Sequence, residues 1–242
     1  MSLFDTGLRP VVDAWLLEKS KEKRSYGNYW SASSAGYCQR KIMFERLGVP
    51  HVETDADARK QRVFTSGHLF HAWMQGLTKE AGISVEQETE LQDEALMVRG
   101  HFDDLIKTDK GLTLYDYKTV NSRAFGYKKD EMSHFHRLQL GTYMYMLKTK
   151  YPDLKEARTL LISKDDLRMK EQQIFWNDQL ELDVFNYWTT LNSNWEKKVF
   201  PPCTCADHEN GFMARKEYNP YFYDGEPCNI KLYNKWKEET KA

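Results

Sequence analysis

The sequence predicts an α/β protein in which β-strands are accompanied by amphipathic helices. The first observation is an alternating stretch over residues 97–120, which predicts a β-hairpin with its turn at residues 108–111. The second is a pair of strand-like stretches, 157–164 and 168–176, that would extend the same sheet. The third is clear helical spacing in three further stretches: residues 64–81, 133–149 and 178–198.

Composition sets broad limits on what the protein can do. The chain has 242 residues, 40% of them hydrophobic and 14% aromatic, which suffices for a packed core and argues against disorder. The formal net charge is −1, so any contact with DNA would depend on local basic clusters. Ordinary solvated clusters would have the same composition. The candidate DNA-binding residues are Arg40, Lys41, Arg123, Lys128 and Lys129.

Several classes of protein are excluded by what the sequence lacks. It contains no apolar run of about 18 residues and no signal peptide, so we expect a soluble, cytoplasmic protein with no membrane partner. Four cysteines in such a chain indicate metal binding or packing rather than disulfides. There is no Gly-x-x-x-x-Gly-Lys-Ser/Thr loop, so the chain is not itself a helicase.

We predict two parts along the chain. Residues 1–30 would form a lead-in segment, with a short helix over residues 10–18 and an aromatic loop after it. Residues 31–242 would form a single domain that ends in a cysteine-containing tail at about residues 200–230.

The domain is predicted to begin with a helix within residues 31–48. Serines occupy the expected N-cap position, and Gly48 ends the helical spacing. Cys38 would lie in the first turns, where a buried free cysteine is an ordinary alternative. Residues 51–62 are predicted to be a loop.

The helix predicted at residues 64–81 combines an apolar stripe with a glycine and a histidine. Gly67 lies one turn before His71 and would let another backbone come close, and His71 would present an imidazole. The stripe consists of Leu69, Phe70, Trp73, Met74 and Leu77. A strand is expected next, over residues 83–92, with alternating carboxylates that suit a solvent-facing edge: Glu86, Glu88 and Glu90.

The charges inside the predicted hairpin call for an explanation. Asp is a poor strand former, yet Asp103 and Asp116 lie near the middle of strand-like runs. Lys118 is two residues after Asp116, so both side chains point to the same face. Two acids and a lysine make a poor core and a good site for Mg²⁺, which binds one or two carboxylates and leaves other positions to water and phosphate. A surface ion pair between Asp116 and Lys118 is the structural alternative.

The helix predicted at residues 133–149 carries polar groups on its inward face. His136, Gln139 and Tyr143 share that face with Leu140 and Leu147. Buried polar groups must be paired, so these three side chains need partners inside the protein or in a site.

In order along the chain, these motifs resemble the RecB-like exonucleases of the PD-(D/E)XK nuclease superfamily, close in layout to the CRISPR-associated and phage-encoded members. The fold that this resemblance implies is a mixed central β-sheet flanked by helices, with the active site on one sheet face. The motifs are Ser34…Cys38…Arg40, Gly67…His71, Gly100…Asp103, Asp116…Lys118 and Gln139…Tyr143, followed by the cysteine tail.

The resemblance also implies an activity and a set of roles. The activity is metal-dependent DNA exonuclease action on single strands or ends in recombination, repair or phage DNA processing, with any helicase or recombinase as a separate partner. Lys118 would position or activate the attacking water, and Gln139 and Tyr143 would reach the active site and the DNA backbone. Glu86 or Glu88 could assist. Mg²⁺ or Mn²⁺ would be held by His71, Asp103, Asp116 and the backbone carbonyl of Tyr117. An endonuclease of the same fold and a non-catalytic DNA-binding adaptor are the alternatives.

The cysteines match the family in number. One N-terminal cysteine and three C-terminal ones hold a [4Fe–4S] cluster there and tie the ends of the domain together, and four thiolates are the usual complement. This chain departs in spacing, because it has Cys-x-Cys and then a long gap. A Cys₄ zinc site would use the same count, and His208 could replace one ligand. The four residues are Cys38, Cys203, Cys205 and Cys228.

Overall fold

The computed structural model describes residues 7–20, 27–51, 57–128, 130–207, 214–215 and 219–240. Its helices are α1 Leu8–Ser20, α2 Gln39–Leu47, α3 Asp57–Glu80, α4 Ser122–Gly126, α5 His134–Leu147, α6 Asp178–Glu196 and α7 Ile230–Glu239. Its strands are β1 Trp30–Ser31, β2 Ser84–Asp93, β3 Val98–Thr108, β4 Gly111–Val120, β5 Glu156–Ser163 and β6 Met169–Phe175. In the described part of the chain, no helix is long and apolar enough to cross a membrane.

The six strands form one mixed sheet, which confirms the predicted α/β fold. β3 and β4 form the predicted hairpin, β4 pairs in parallel with β5, and β6 pairs antiparallel with β5 at one edge. β2 runs antiparallel along β3, and β1 pairs in parallel with the start of β3. Both further strands therefore extend the sheet as the alternating sequence predicts.

The hairpin opens part-way along its length, and this opening creates the site described below. β3 and β4 pair from Thr108 and Gly111 as far as Asp104 and Tyr115. Beyond that point the backbone N–H of Tyr117 donates instead to the Asp103 carboxylate, at 2.6 Å. A side chain thus replaces the strand partner where the two strands separate.

Helices cover both faces of the sheet. α5 and α6 pack on one face, and they approach closely because a Cβ on Gly141 would lie 2.8 Å from a methyl carbon of Leu180. On the other face, Phe70 and Met74 of α3 pack against a cluster that includes Tyr117. The larger core cluster on the α5 side includes Trp30, Phe102, Leu114, Leu140, Met144 and Trp188.

Three sequence predictions around α2 and α3 are wrong. Cys38 occupies the N-cap of α2 and gives no side-chain cap, while the serines lie in β1 and a short 3₁₀ turn at Ala32–Ser34. Residues 57–62 are the start of α3 rather than a loop, whereas residues 52–56 lie outside the described part. A Cβ on Gly67 would lie 3.6 Å from the hydroxyl oxygen of Thr119, so this glycine meets a side chain and not a neighbouring backbone.

The apolar stripe of α3 is also only partly buried. Phe70 and Met74 meet the sheet, but Leu69, Trp73 and Leu77 are exposed by 68%, 41% and 43%. The helix meets the sheet along a line that includes His71 and Thr78, because these side chains contact acids of β3. α4 and α7 were not predicted; both are short, and polar residues dominate their sequences.

Candidate active site

Three carboxylates from three neighbouring strands form one cross-strand row. Two register pairs of β2 and β3 bracket the row: Gln87 with Asp104, and Thr89 with Phe102. Glu88 therefore lies opposite Asp103. Because the β3–β4 ladder ends at Asp104 and Tyr115, Asp116 occupies the next position on β4. The acids sit where the hairpin opens: Glu88 is exposed, Asp103 is half-buried and Asp116 is buried.

Glu88 holds an unusual backbone conformation in this row. Its φ is +48°, in the left-handed region that costs a non-glycine residue about 1 kcal/mol or more. The side chain of Gln75 on α3 donates to the Glu88 carboxylate at 2.8 Å and to the Asp103 carbonyl at 3.1 Å. The strained residue is thus held in place by α3.

His71 of α3 completes a cluster of potential metal ligands with two of these acids. Its Nδ1 lies 3.4 Å from an Asp103 carboxylate oxygen. One ligand atom each from His71, Glu88 and Asp103 lie within 4.8 Å of one another. Burial raises the pKa of Asp103. Burial acts to lower the pKa of His71, but its hydrogen bond to Asp103 and that carboxylate's charge outweigh it, so the His71 pKa is raised.

Asp116 has one satisfied and one unsatisfied oxygen. Its side chain is almost completely buried, and its Oδ1 accepts from Lys118 Nζ at 2.7 Å and from Gln139 Nε2 at 3.2 Å. Its Oδ2 is buried and has no hydrogen-bond partner among the residues that the structure describes. A buried carboxylate oxygen without a partner costs free energy, whereas a divalent cation would satisfy it. The donor set of the row therefore fits a Mg²⁺ or Mn²⁺ ion.

Lys118 is held as an ammonium beside this carboxylate. Burial acts to lower the pKa of Lys118, but the charges of Asp116 and Asp103 more than offset it, and the pKa is raised. The side chain keeps 29% of its surface exposed, so it is not fully enclosed in the core.

The comparison with protein families decides the assignment. The family profile of the PD-(D/E)XK nuclease superfamily matches residues 83–218, more than half of the chain, and the match includes the hairpin with its acids and lysine. The chain belongs to the PD-(D/E)XK nuclease superfamily. Nucleases of this superfamily are hydrolases that use divalent metal ions.

This PD-(D/E)XK protein is similar in fold to one solved structure, SSO0001, and more distantly similar to two others. SSO0001 is 16% identical, with 81% of this chain and 94% of that chain covered and a TM-score of 0.50. An alkaline exonuclease from Laribacter hongkongensis, LHK-Exo, is 14% identical, with coverages of 71% and 91% and a TM-score of 0.44. A putative exonuclease from Eubacterium rectale is 9% identical, with coverages of 89% and 93% and a TM-score of 0.44. No curated protein matches the chain.

The remaining predicted site residues of the PD-(D/E)XK protein lie in different surroundings. Gln139 contacts Asp116, as described above, and is buried. Tyr143 is 3% exposed and packs beneath β3, where its hydroxyl oxygen lies 3.0 Å from the position of a Cβ on Gly100. Tyr117 is anchored by its N–H on Asp103 and by its hydroxyl on Asp104 at 2.9 Å, which fixes the peptide whose carbonyl is the predicted ligand.

The predicted DNA-binding residues are dispersed. Arg40 donates to the carbonyls of Pro201 and Cys228 at 2.7 and 3.4 Å, and Lys41 pairs with Glu45. Both therefore serve contacts within the protein. Arg123 is exposed on α4, and Lys128 is half-buried; Lys129 lies outside the described residues.

The four cysteines do come together, although they are far apart in sequence. Their sulfur atoms all lie within 4.8 Å of one another, and the group consists of Cys38, Cys203, Cys205 and Cys228. None is in a disulfide, as the sequence predicts. His208, the alternative ligand, lies outside the described residues.

His136 supplies a pH dependence that can be measured. Burial lowers its pKa to about 4, and its Nδ1 is buried with no partner in the described part of the chain. Between pH 4 and 6.5, His136 is protonated in the unfolded chain but neutral in the folded protein. The free energy of unfolding therefore rises with pH across this window. We expect His136→Gln to reduce the difference in unfolding free energy between pH 5 and pH 7 by up to about 2 kcal/mol. Urea denaturation at both pH values measures it.

The matched control for this measurement is His101→Gln, the same chemical change on β3. The His101 side chain is a third exposed and pairs with a surface acid, Glu90. An unchanged pH difference in His136→Gln would show that the folded protein protonates His136 as readily as the unfolded chain does.

Proposed function

We propose that this PD-(D/E)XK protein is a metal-dependent DNA exonuclease that hydrolyses phosphodiester bonds in single-stranded DNA or at DNA ends. The observation that carries the proposal is the unpaired, buried Oδ2 of Asp116 in a row of acids, with the Lys118 ammonium on the other oxygen of the same carboxylate. Buried polar groups in a protein core are normally paired. Here a cation would satisfy the Asp116 oxygen, and a phosphate would satisfy the Lys118 ammonium.

The acids of the row and their neighbours would bind the metal ion. Asp103, Asp116, His71 and the Tyr117 carbonyl would hold Mg²⁺ or Mn²⁺, and Glu88 adds a further oxygen donor. When bound, the ion supplies Lewis-acid polarisation of the scissile phosphate and makes an adjacent water more acidic.

Lys118 and Gln139 act on either side of Asp116. Lys118 would orient or activate the attacking water and stabilise negative charge that develops on the phosphate, because its ammonium is fixed 2.7 Å from Asp116 Oδ1. Gln139 donates to the same oxygen, so Oδ2 is the oxygen of Asp116 that would bind the ion. Tyr143, which packs beneath β3, is the further residue of α5 that we propose for the active site.

Support for exonuclease action comes from the sequence motifs. The Gln139…Tyr143 spacing on α5 and the one-plus-three cysteine count resemble the RecB-like exonucleases, and a helicase or recombinase would be a separate partner. An endonuclease of the same fold and a DNA-binding adaptor are the competing functions.

End-labelled DNA tests the proposal directly. The protein is incubated with 5′- and 3′-labelled linear single-stranded DNA and with covalently closed circular single-stranded DNA, each with Mn²⁺ or with EDTA. We expect Mn²⁺-dependent release of short products from linear DNA alone. Cleavage of circular DNA would identify an endonuclease, and binding without cleavage in Mn²⁺ would identify an adaptor.

Glu88 gives a prediction specific to this structure. Glu88→Gln removes a charged oxygen donor from the row but keeps the hydrogen bond from Gln75. We expect the Mn²⁺ concentration for half-maximal cleavage to rise on the order of tenfold, as losses around metal ligands commonly do. A titration of activity with Mn²⁺ measures the shift. The control is Glu90→Gln on the same strand, whose carboxylate pairs with Arg99 at the surface. Identical titrations for both variants would remove Glu88 from the site.

A further inference from the structure

We infer that the four cysteines bind one tetrahedral metal ion, with Zn²⁺ as the ion of best fit, and that they do not hold the [4Fe–4S] cluster that the sequence resemblance implies. The inference concerns a second metal site, which would be structural, whereas the metal site of the acidic row would be catalytic. It does not depend on the proposed exonuclease activity.

Three separate parts of the chain supply the ligands. Cys38 is the N-cap of α2. Cys203 and Cys205 follow α6, and Cys228 directly precedes the N-cap of α7. Cys38, Cys205 and Cys228 are buried and Cys203 is half-buried, so the site is closed on nearly all sides. Closed sites with four protein ligands are typical of structural zinc.

The distances between the sulfur atoms discriminate between the two metal centres. Cys38 and Cys203 are 3.9 Å apart, Cys205 and Cys228 are 3.5 Å apart, and all four sulfurs lie within 4.8 Å of one another. Zinc–sulfur bonds of about 2.3 Å in a tetrahedron place the sulfurs roughly 3.8 Å apart. The separations therefore match a single ion.

An iron–sulfur cubane requires a wider cage. In a [4Fe–4S] cluster each thiolate binds a different iron, so the four cysteine sulfurs surround an eight-atom core. Four sulfurs that all lie within 4.8 Å of one another leave no room for that core. The cysteine spacing in the sequence points the same way, because a Cys-x-Cys pair with a distant fourth ligand departs from the pattern of the resembled family.

Neighbouring polar groups compensate the charge that such a site would carry. Four thiolates around one divalent ion have a net charge of −2, which requires hydrogen-bond donors in a buried place. The side-chain amide of Asn219 donates to the sulfurs of Cys205 and Cys228 at 3.4 and 3.5 Å. The Arg40 guanidinium donates to the carbonyl of Cys228 and brings a positive charge beside it. Arg40 therefore serves this site, although the sequence predicted a contact with DNA.

The experiment uses the full chain and measures metal directly. The protein is produced in cells supplied with both iron and zinc and is purified anaerobically, so that an oxygen-sensitive cluster would survive. Metal content, acid-labile sulfide and the visible spectrum are then recorded. We expect about one zinc per chain, no stoichiometric iron or sulfide and no visible colour. Roughly four irons and four sulfides with a brown colour would overturn the inference, and so would a protein without stoichiometric metal.

Cobalt exchange tests the geometry of the same site. Replacement of the bound ion by Co²⁺ should give the intense visible absorption of a tetrahedral, thiolate-ligated ion, which a site of oxygen ligands cannot produce. A weak, octahedral-type spectrum would contradict the inference. The ion in the acidic row adds no such absorption, so the two sites are distinguished.

A matched pair of variants locates the ion. Cys205→Ser should lose the stoichiometric zinc and lower the melting temperature, whereas Thr204→Ser, at the intervening position, should retain both. Full zinc content in Cys205→Ser would overturn the assignment. These readouts need no DNA, so failure of the exonuclease proposal and failure of this inference are separate results.

Discussion

Asp116→Asn should lower metal-dependent DNA cleavage by about 10²–10³-fold while leaving the fold intact. The substitution keeps the shape of the side chain and an oxygen that can accept from Lys118 and Gln139. It removes the negative charge that a divalent ion needs at the buried Oδ2, and the loss of one such preorganised group costs an enzyme about 10²–10³-fold in rate. Initial rates on end-labelled linear DNA measure the effect.

The control is Asp109→Asn, the same chemical change in the exposed turn of the same hairpin. It should cleave at the rate of the unaltered protein. Lys118→Met should be as inactive as Asp116→Asn, because it removes the ammonium that would stabilise charge on the phosphate. If Asp116→Asn kept a tenth or more of the activity, the acidic row would not be the catalytic centre.

Asp104→Asn should destabilise the protein by roughly 2 to 4 kcal/mol, whereas Asp103→Asn should cost far less. The Asp104 carboxyl group is completely buried. It accepts four side-chain hydrogen bonds: from Thr78 at 2.5 Å, Ser84 at 2.6 Å, Tyr117 at 2.9 Å and Gln87 at 3.1 Å. An amide offers one acceptor oxygen in place of two and points a donor at the remaining donors, so buried groups are left unsatisfied.

Urea denaturation followed by circular dichroism measures both variants. Asp103 accepts from the Tyr117 N–H, a bond that an asparagine oxygen can keep, and it is partly exposed toward the site. Its variant should therefore lose cleavage but little stability, and Asp104→Asn should show the opposite order. Equal losses of stability would show that the two adjacent acids do not divide structural from catalytic work.

The elements around the site could be predicted from sequence because burial on one face produces alternation in strands and a period of about 3.6 in helices. β3, β4, β5 and β6 were predicted within a few residues, as was α5. The set of two acids and a lysine was visible because Asp is a poor strand former, so these charged residues in strand-like runs called for an explanation.

Other features left no such trace. Nothing in the local sequence marks the left-handed backbone of Glu88, because that conformation is imposed by the two strands and by Gln75 of α3. The two acids of β3 looked equivalent, and only the tertiary contacts show that Asp104 is enclosed while Asp103 faces the site. The buried face of α3 was predicted incorrectly. Trp73 and Leu77 continue its apolar stripe, but they lie beyond the part of the helix that contacts the sheet and are exposed.

The clustering of cysteines that are far apart in sequence has a consequence for folding during synthesis of the chain. The ribosome synthesises Cys38 well before Cys228, so this group cannot assemble until Cys228 has emerged. Phe44 and Val49 are buried in the same cluster as Cys228 and Leu232, so they cannot make these contacts until then. The cysteine group therefore joins a segment that is synthesised early to one that is synthesised much later.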